Sequence, residues 1–135
     1  MAKISTLQVA QVNAHIVSWL KSYAEKANVQ GFVIGISGGV DSAVTSTLCA
    51  QTGLPTLCVE MPIYQAESQV NRAQELIAQL MERFPNVTGT RVDLTPIFES
   101  FKTEVPPSKD EKAYSSSYIH TYIHTYILTY MHTYI

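Results

Sequence analysis

Apolar positions near the start of the chain return every three to four residues, at Val9, Val12, Ile16, Trp19, Leu20 and Tyr23. That spacing predicts a helix over about Leu7 to Lys26 with one apolar face. His15 lies beside the stripe and reads as a surface or core-edge residue. The pattern then changes. Gly31-Phe-Val-Ile-Gly-Ile36 is apolar without alternation, as in a strand buried on both faces of a parallel sheet. Ser37 to Ser42 follows as a tight loop, and Ala43 to Gln51 as a helix closed by Gly53 and Pro55. Thr56-Leu-Cys-Val-Glu-Met61 predicts a second strand, stopped by Pro62. Glu67 to Phe84 predicts a long helix, apolar at Val70, Ala73, Leu76, Ile77, Leu80 and Met81 and ended by Pro85-Asn86. Thr88 to Leu94 predicts a third strand, and Pro96 to Lys102 opens another helix.

Strand, helix, strand, helix, strand at these spacings is a βαβαβ series, which implies an α/β fold with a parallel sheet. Ligands of such sheets sit at the carboxyl ends of the strands. The Ser37 loop lies at one of those ends.

The loop follows an apolar strand and opens a helix, the setting a phosphate-binding motif requires. Gly38 and Gly39 let the backbone approach an anion closely and reach conformations closed to other residues. Unpaired amides at the helix start, aided by the helix dipole, favour negative charge. Ser37 and Ser42 add hydroxyl donors. Asp41 is the odd member, because a bare carboxylate repels phosphate; a divalent cation such as Mg²⁺ between the two resolves the conflict. No GxxxxGK[ST] pattern is present, and no lysine follows the glycines. A cradle of this kind suits a pyrophosphate leaving group while the α-phosphate is attacked.

Composition narrows the field. The 135 residues suffice for one modest core, and 46% apolar with 15% charged residues describes a globular chain. A net charge of -2, with Lys and Arg scattered, gives no support for nucleic acid or an anionic membrane as partner. Cys49 and Cys58 are too few for a disulfide framework or a CxxC metal clip and read as small buried side chains. No stretch approaches the ~18 apolar residues of a membrane helix, and no signal peptide pattern opens the chain, so the expected location is cytoplasmic.

Gly35-Ile-Ser-Gly-Gly-Val-Asp-Ser42 resembles the ATP-pyrophosphatase (PP-loop) superfamily, whose members cleave ATP between the α- and β-phosphates. Within it the chain looks most like the ammonia-dependent NAD synthetases. A full helix precedes the first strand; Glu60-Met-Pro62 is followed by Ile63, Gln65, Gln69, Arg72 and Ala73; and Val92-Asp-Leu-Thr-Pro96 leads into a helix. The resemblance implies a partial Rossmann-like, adenine nucleotide alpha hydrolase-like sheet, truncated after about three strands. It implies ATP binding by Gly35, Ile36, Ser37, Gly38, Gly39, Val40, Asp41 and Ser42, with Asp41 as the Mg²⁺ ligand and the backbone of Glu60 and Met61 near adenine. The implied reaction joins deamido-NAD to ammonia through an adenylated intermediate, releasing AMP and pyrophosphate, in a homodimer. Another PP-loop ligase such as GMP synthetase, or a non-catalytic ATP-binding fragment, stands as the alternative.

The resemblance covers residues 1 to about 107, and a chain lacking the second half is expected to be inactive or weakly active. Residues 108–135 carry a Tyr-Ile-His-Thr repeat from Tyr118 onward. TAC-ATA-CAT-ACA is the tetranucleotide TACA repeated, so translated simple-sequence DNA explains the tail. His120 and His124 sit four apart, a spacing this repeat produces without selection for a metal. The repeat itself holds no Asp, Glu, Lys or Arg and is β-prone, suited to an added strand or to aggregation. Without a later strand beside it, Gly31 to Ile36 is expected to form an unprotected apolar edge and to promote self-association.

Overall fold

The computed structural model describes residues 8–64 and 66–104. Gln65, the repeat tail, His120 and His124 fall outside the described residues. Within them the order is α1 (Val9–Ala27), β1 (Phe32–Gly35), α2 (Val40–Gln51), β2 (Thr56–Glu60), α3 (Glu67–Arg83), β3 (Val87–Arg91) and α4 (Thr95–Glu104). The three strands form one parallel sheet in the order β1-β2-β3. Phe32 pairs with Thr56 and Gly35 with Val59; Thr56 pairs with Val87 and Glu60 with Arg91. The α/β class and the three strands expected from the pattern are present among the described residues.

Alternation along the strands divides two cores. Cys58 joins Ile36, Ala50, Ala73, Leu80 and Val87 on the face that carries α3, with Ile34 and Ile77 packed against them. Val59 joins Met61, Ile63, Leu94 and Phe98 on the other, with Val33 and Leu57 alongside. An apolar run without alternation is what such two-sided burial demands. β2 is central and largely buried, whereas the four residues of β1 are each half-buried at one edge of the described sheet.

Three features differ from the sequence expectation. α2 begins at Val40, so the second half of the expected loop is already helical. β3 stops at Arg91, and Leu94 is a buried residue in the connection to α4. There the Thr95 N–H donates to Asp93 Oδ1 at 2.9 Å, a bond that starts α4 and holds the Asp93 carboxyl below its ordinary pKa. The third difference is rotational. α1 turns Ile16, Val17, Leu20 and Ala24 inward and leaves Val9, Trp19 and Tyr23 exposed, the two rings stacked at 5.5 Å. Its neighbour is α2, to which it is tied by Asn13 Nδ2 donating to Gln51 Oε1 at 2.7 Å. A helix packed on another helix needs a narrower apolar stripe than one laid on a sheet.

Candidate functional site

The site grows from the carboxyl end of β1. Ile36, 4% exposed, donates its N–H to Val59 O at 2.8 Å and carries the ladder one residue past β1. Beyond it the chain leaves the sheet through Ser37, and Gly38 takes φ +79°, the left-handed region that favours glycine. A Cβ on Gly38 would lie 2.8 Å from Gln69 O and 3.4 Å from Arg72 Cβ. The turn therefore rests directly on the early part of α3. Gly39 differs from the sequence expectation: at φ -93° and ψ 166° it is ordinary extended backbone, open to any residue. A Cβ added there would meet only Ser37 Oγ, at 3.3 Å, so the turn's need for glycine rests on Gly38.

Gly39 is the N-cap of α2, and no side chain caps the helix. Ala43 N–H is the first amide of α2 to close on the loop, donating to Gly39 O at 3.2 Å. The amides of Val40, Asp41 and Ser42 stand in the first turn, where a helix has no acceptor to offer them. Hydroxyls brace the loop. Ser37 N–H donates to Ser42 Oγ at 3.3 Å, Gly39 N–H donates to Ser37 Oγ at 3.3 Å, and Ser42 Oγ donates to Gly39 O at 3.0 Å. The two serine oxygens lie 3.2 Å apart. Gly35, Ile36, Ser37, Gly38, Gly39, Val40, Asp41 and Ser42 thus form one strand-turn-helix unit with amides at its mouth. An anion meets several N–H groups and the positive end of the α2 dipole there.

Asp41 is exposed in the first turn of α2. Among the described residues it makes no ion pair, and no three carboxylate, histidine or cysteine groups gather to cage a metal. One free carboxylate beside an amide pocket fits a hard cation bound mainly through phosphate oxygens and water. It does not fit a metal held wholly by protein.

Other residues fall in places the sequence pattern did not show. Glu60 ends β2 with its side chain 2% exposed. Its Oε2 lies 3.8 Å from Arg91 Nε and accepts from Gln74 Nε2 at 3.5 Å, while Oε1 has no partner among the described residues. Glu60 also helps floor a groove of about 280 Å³ between α3 and β3, walled by Ile77 and Met81. That groove contains no residue of the Ser37 loop. The signal for Glu60 was present, a lone charge closing an apolar strand, but alternation alone does not say which face it takes. Gln69 meets the loop through its backbone oxygen, and its side chain is exposed. Tyr64, in the connection from β2 to α3, takes φ 46° and sets its ring edge-on to Phe98 of α4 at 5.6 Å.

Cys49 and Cys58 are buried as the pattern implied, 2% and 0% exposed. Burial pushes both thiols up to about 11, so neither is a nucleophile near neutral pH. No helix among the described residues is long and apolar enough to cross a membrane.

Comparison with known proteins places the chain in a family. The NAD synthase family model matches residues 12–131. The NH(3)-dependent NAD(+) synthetase of Mesoplasma florum is 38% identical over 96 residues, covering 70% of this chain and 37% of that protein. The enzyme of the same name from Pyrobaculum aerophilum is 29% identical over 119 residues, covering 86% of this chain and 43% of that protein. The chain thus spans about two-fifths of the length of these curated relatives. Among solved structures, an NMN synthetase from Francisella tularensis superposes with a TM-score of 0.67 at 31% identity, covering 73% of this chain and 40% of that one. The NH3-dependent NAD synthetase of Campylobacter jejuni reaches a TM-score of 0.76 at 20% identity over 91% of this chain and 51% of that one, a likeness of fold. A family model that matches most of the chain, together with a fold like that of these solved structures, leads to one conclusion: the chain belongs to the NAD synthase family.

Proposed function

We propose that the chain is the Mg-ATP-binding portion of an ammonia-dependent ligase that amidates deamido-NAD to NAD. The observation that carries this reading is the left-handed turn at Gly38, which delivers the first-turn amides of α2 to the carboxyl end of β1. In the reaction so proposed, the pyridine carboxylate attacks the α-phosphorus of ATP and pyrophosphate departs. Ammonia then displaces AMP from the adenylate, forming the amide. The chain's own contribution is electrostatic. The first-turn amides of Val40, Asp41 and Ser42, in a loop braced by the hydroxyls of Ser37 and Ser42, stabilise charge that builds on the leaving pyrophosphate. A Mg²⁺ held by Asp41 would neutralise phosphate charge and ease its departure.

Free ammonia is the donor in this reading, as in the names of the curated relatives. The Francisella protein makes the mononucleotide a second acceptor to try. Incubating the chain with ATP, Mg²⁺, ammonia and either deamido-NAD, nicotinic acid mononucleotide or xanthosine monophosphate, then measuring AMP and pyrophosphate, separates the readings. Release with deamido-NAD alone supports NAD synthesis, and release with xanthosine monophosphate selects the GMP synthetase alternative. Mg-ATP binding with no release marks a non-catalytic ATP-binding chain. Failure to bind Mg-ATP at all removes the proposal.

A further inference from the structure

We infer that Arg72 is a phosphate-binding residue of the site, filling the place that a loop lysine takes in other nucleotide cradles; the inference rests on the ATP reading above. The loop itself carries no cation between Gly35 and Ser42. Four phosphate-borne charges against one Mg²⁺ leave an excess that amides alone compensate only in part. Arg72 lies against the turn: a Cβ on Gly38 would stand 3.4 Å from Arg72 Cβ. Side chains on a helix lean toward its N-terminus. For α3, which starts at Glu67 just after β2 ends, that direction is toward the end of the sheet where the loop's amides open. Arg72 is also exposed, and among the described residues it has no ion pair or ring contact.

The other described cations are excluded by position or by partner. Lys21 and Lys26 lie on the half of α1 that runs to the amino end of β1, away from the loop. Arg83 sits in the last turn of α3 over the Phe84 ring at 5.3 Å. Arg91 faces Glu60 at 3.8 Å, and Lys102 lies 3.5 Å from Glu99. Arg72 alone among them is both uncommitted and beside the glycine turn. A guanidinium there can donate a forked pair of N–H groups to two phosphate oxygens, a match that a lysine meets only as a point charge.

The test compares the full chain with its Arg72→Ala, Arg72→Lys, Arg83→Ala and Asp41→Ala variants. Affinities for Mg-ATP, Mg-pyrophosphate and AMP are measured by equilibrium dialysis, with urea unfolding to confirm that each variant folds. Arg72→Ala should weaken Mg-ATP and Mg-pyrophosphate about tenfold to hundredfold and leave AMP within about twofold, the size expected of a charge-assisted pair. Arg72→Lys should restore part of the loss, and Arg83→Ala should match the parent. Arg72→Ala binding Mg-ATP as the parent does, while Asp41→Ala loses it, overturns this inference and leaves the ATP reading standing. Equal weakening for AMP makes the role structural and overturns it too. A parent that binds none of the three probes ends both.

Discussion

Glu60 and Arg91 are register partners at the ends of β2 and β3, and their side chains meet with Oε2 3.8 Å from Nε. The carboxylate is 2% exposed while the guanidinium side chain is 49% exposed, so the pair is lopsided. One charge depends on the other far more than the reverse. Glu60 Oε1 has no partner among the described residues, which makes the remaining contacts matter more.

Removing the exposed member should therefore hurt more than its exposure suggests. Arg91→Ala is expected to destabilise the fold by about 1–2 kcal/mol, because it strands a buried carboxylate. Adding Glu60→Met should recover most of that loss, since an apolar side chain of similar length fills the space without a charge. Urea midpoints of the two single variants and the double variant decide it. A neutral Arg91→Ala would show that water already satisfies the carboxylate.

The two loop glycines should respond differently to alanine. Gly38 has φ +79° and backbone of α3 at close range, so Gly38→Ala should cost about 1–2 kcal/mol and displace the turn. Mg-ATP affinity should then fall about tenfold or more, the equivalent of one good hydrogen bond to a charged group. Gly39 is extended, and its added Cβ would meet only Ser37 Oγ at 3.3 Å. Gly39→Ala should fold as the parent does and keep most of its affinity. Equal losses in the two variants would contradict the geometry.

A third glycine holds α3 to β3. A Cβ on Gly89 would collide with Ile77 Cγ2, so Gly89→Val should destabilise the fold by about 1–3 kcal/mol through overpacking. Ile77→Ala in the same chain makes room and should return part of the stability. Thermal unfolding of the single and double variants reads this, and additive losses would sink it.

The buried thiols predict an alkaline limit. Cys49 and Cys58 rise from 9.0 to about 11 through desolvation by burial. The folded state therefore favours the neutral thiol. Its stabilising effect is fully present below pH 9.0 and is lost as pH rises toward about 11. Unfolding midpoints should fall across that window in the parent and stay flatter in a Cys49→Ala, Cys58→Val variant. Thiol reagents at neutral pH should label neither cysteine until the chain unfolds.

Much of this architecture was legible in the sequence because its signals are local. A strand buried on both faces shows itself as an uninterrupted apolar run, as in Gly31 to Ile36. A glycine pair between such a run and a helical stretch marks the strand-turn-helix junction that β1 and α2 form. The elements of the βαβαβ series, their order and the residues of the loop were all readable in this way. Boundaries were less so: Val40 to Ser42 have loop-like company, yet the first turn of α2 claims them once Gly39 caps it.

What the sequence could not supply is the choice between faces and neighbours that lie far apart along the chain. The stripe on α1 contains both Leu20 and Trp19; only packing against α2 selects the first and leaves the second in solvent. Glu60 reads as the polar end of a strand, and the pairing of β2 with β3 decides that it is buried beside Arg91. Arg72 stands 34 positions from Gly38, and nothing in their spacing brings them together. Chain order determines which turn forms, because dihedral preferences act between adjacent residues. Tertiary packing decides what that turn rests on, because such contacts exist only after the helices have docked on the sheet.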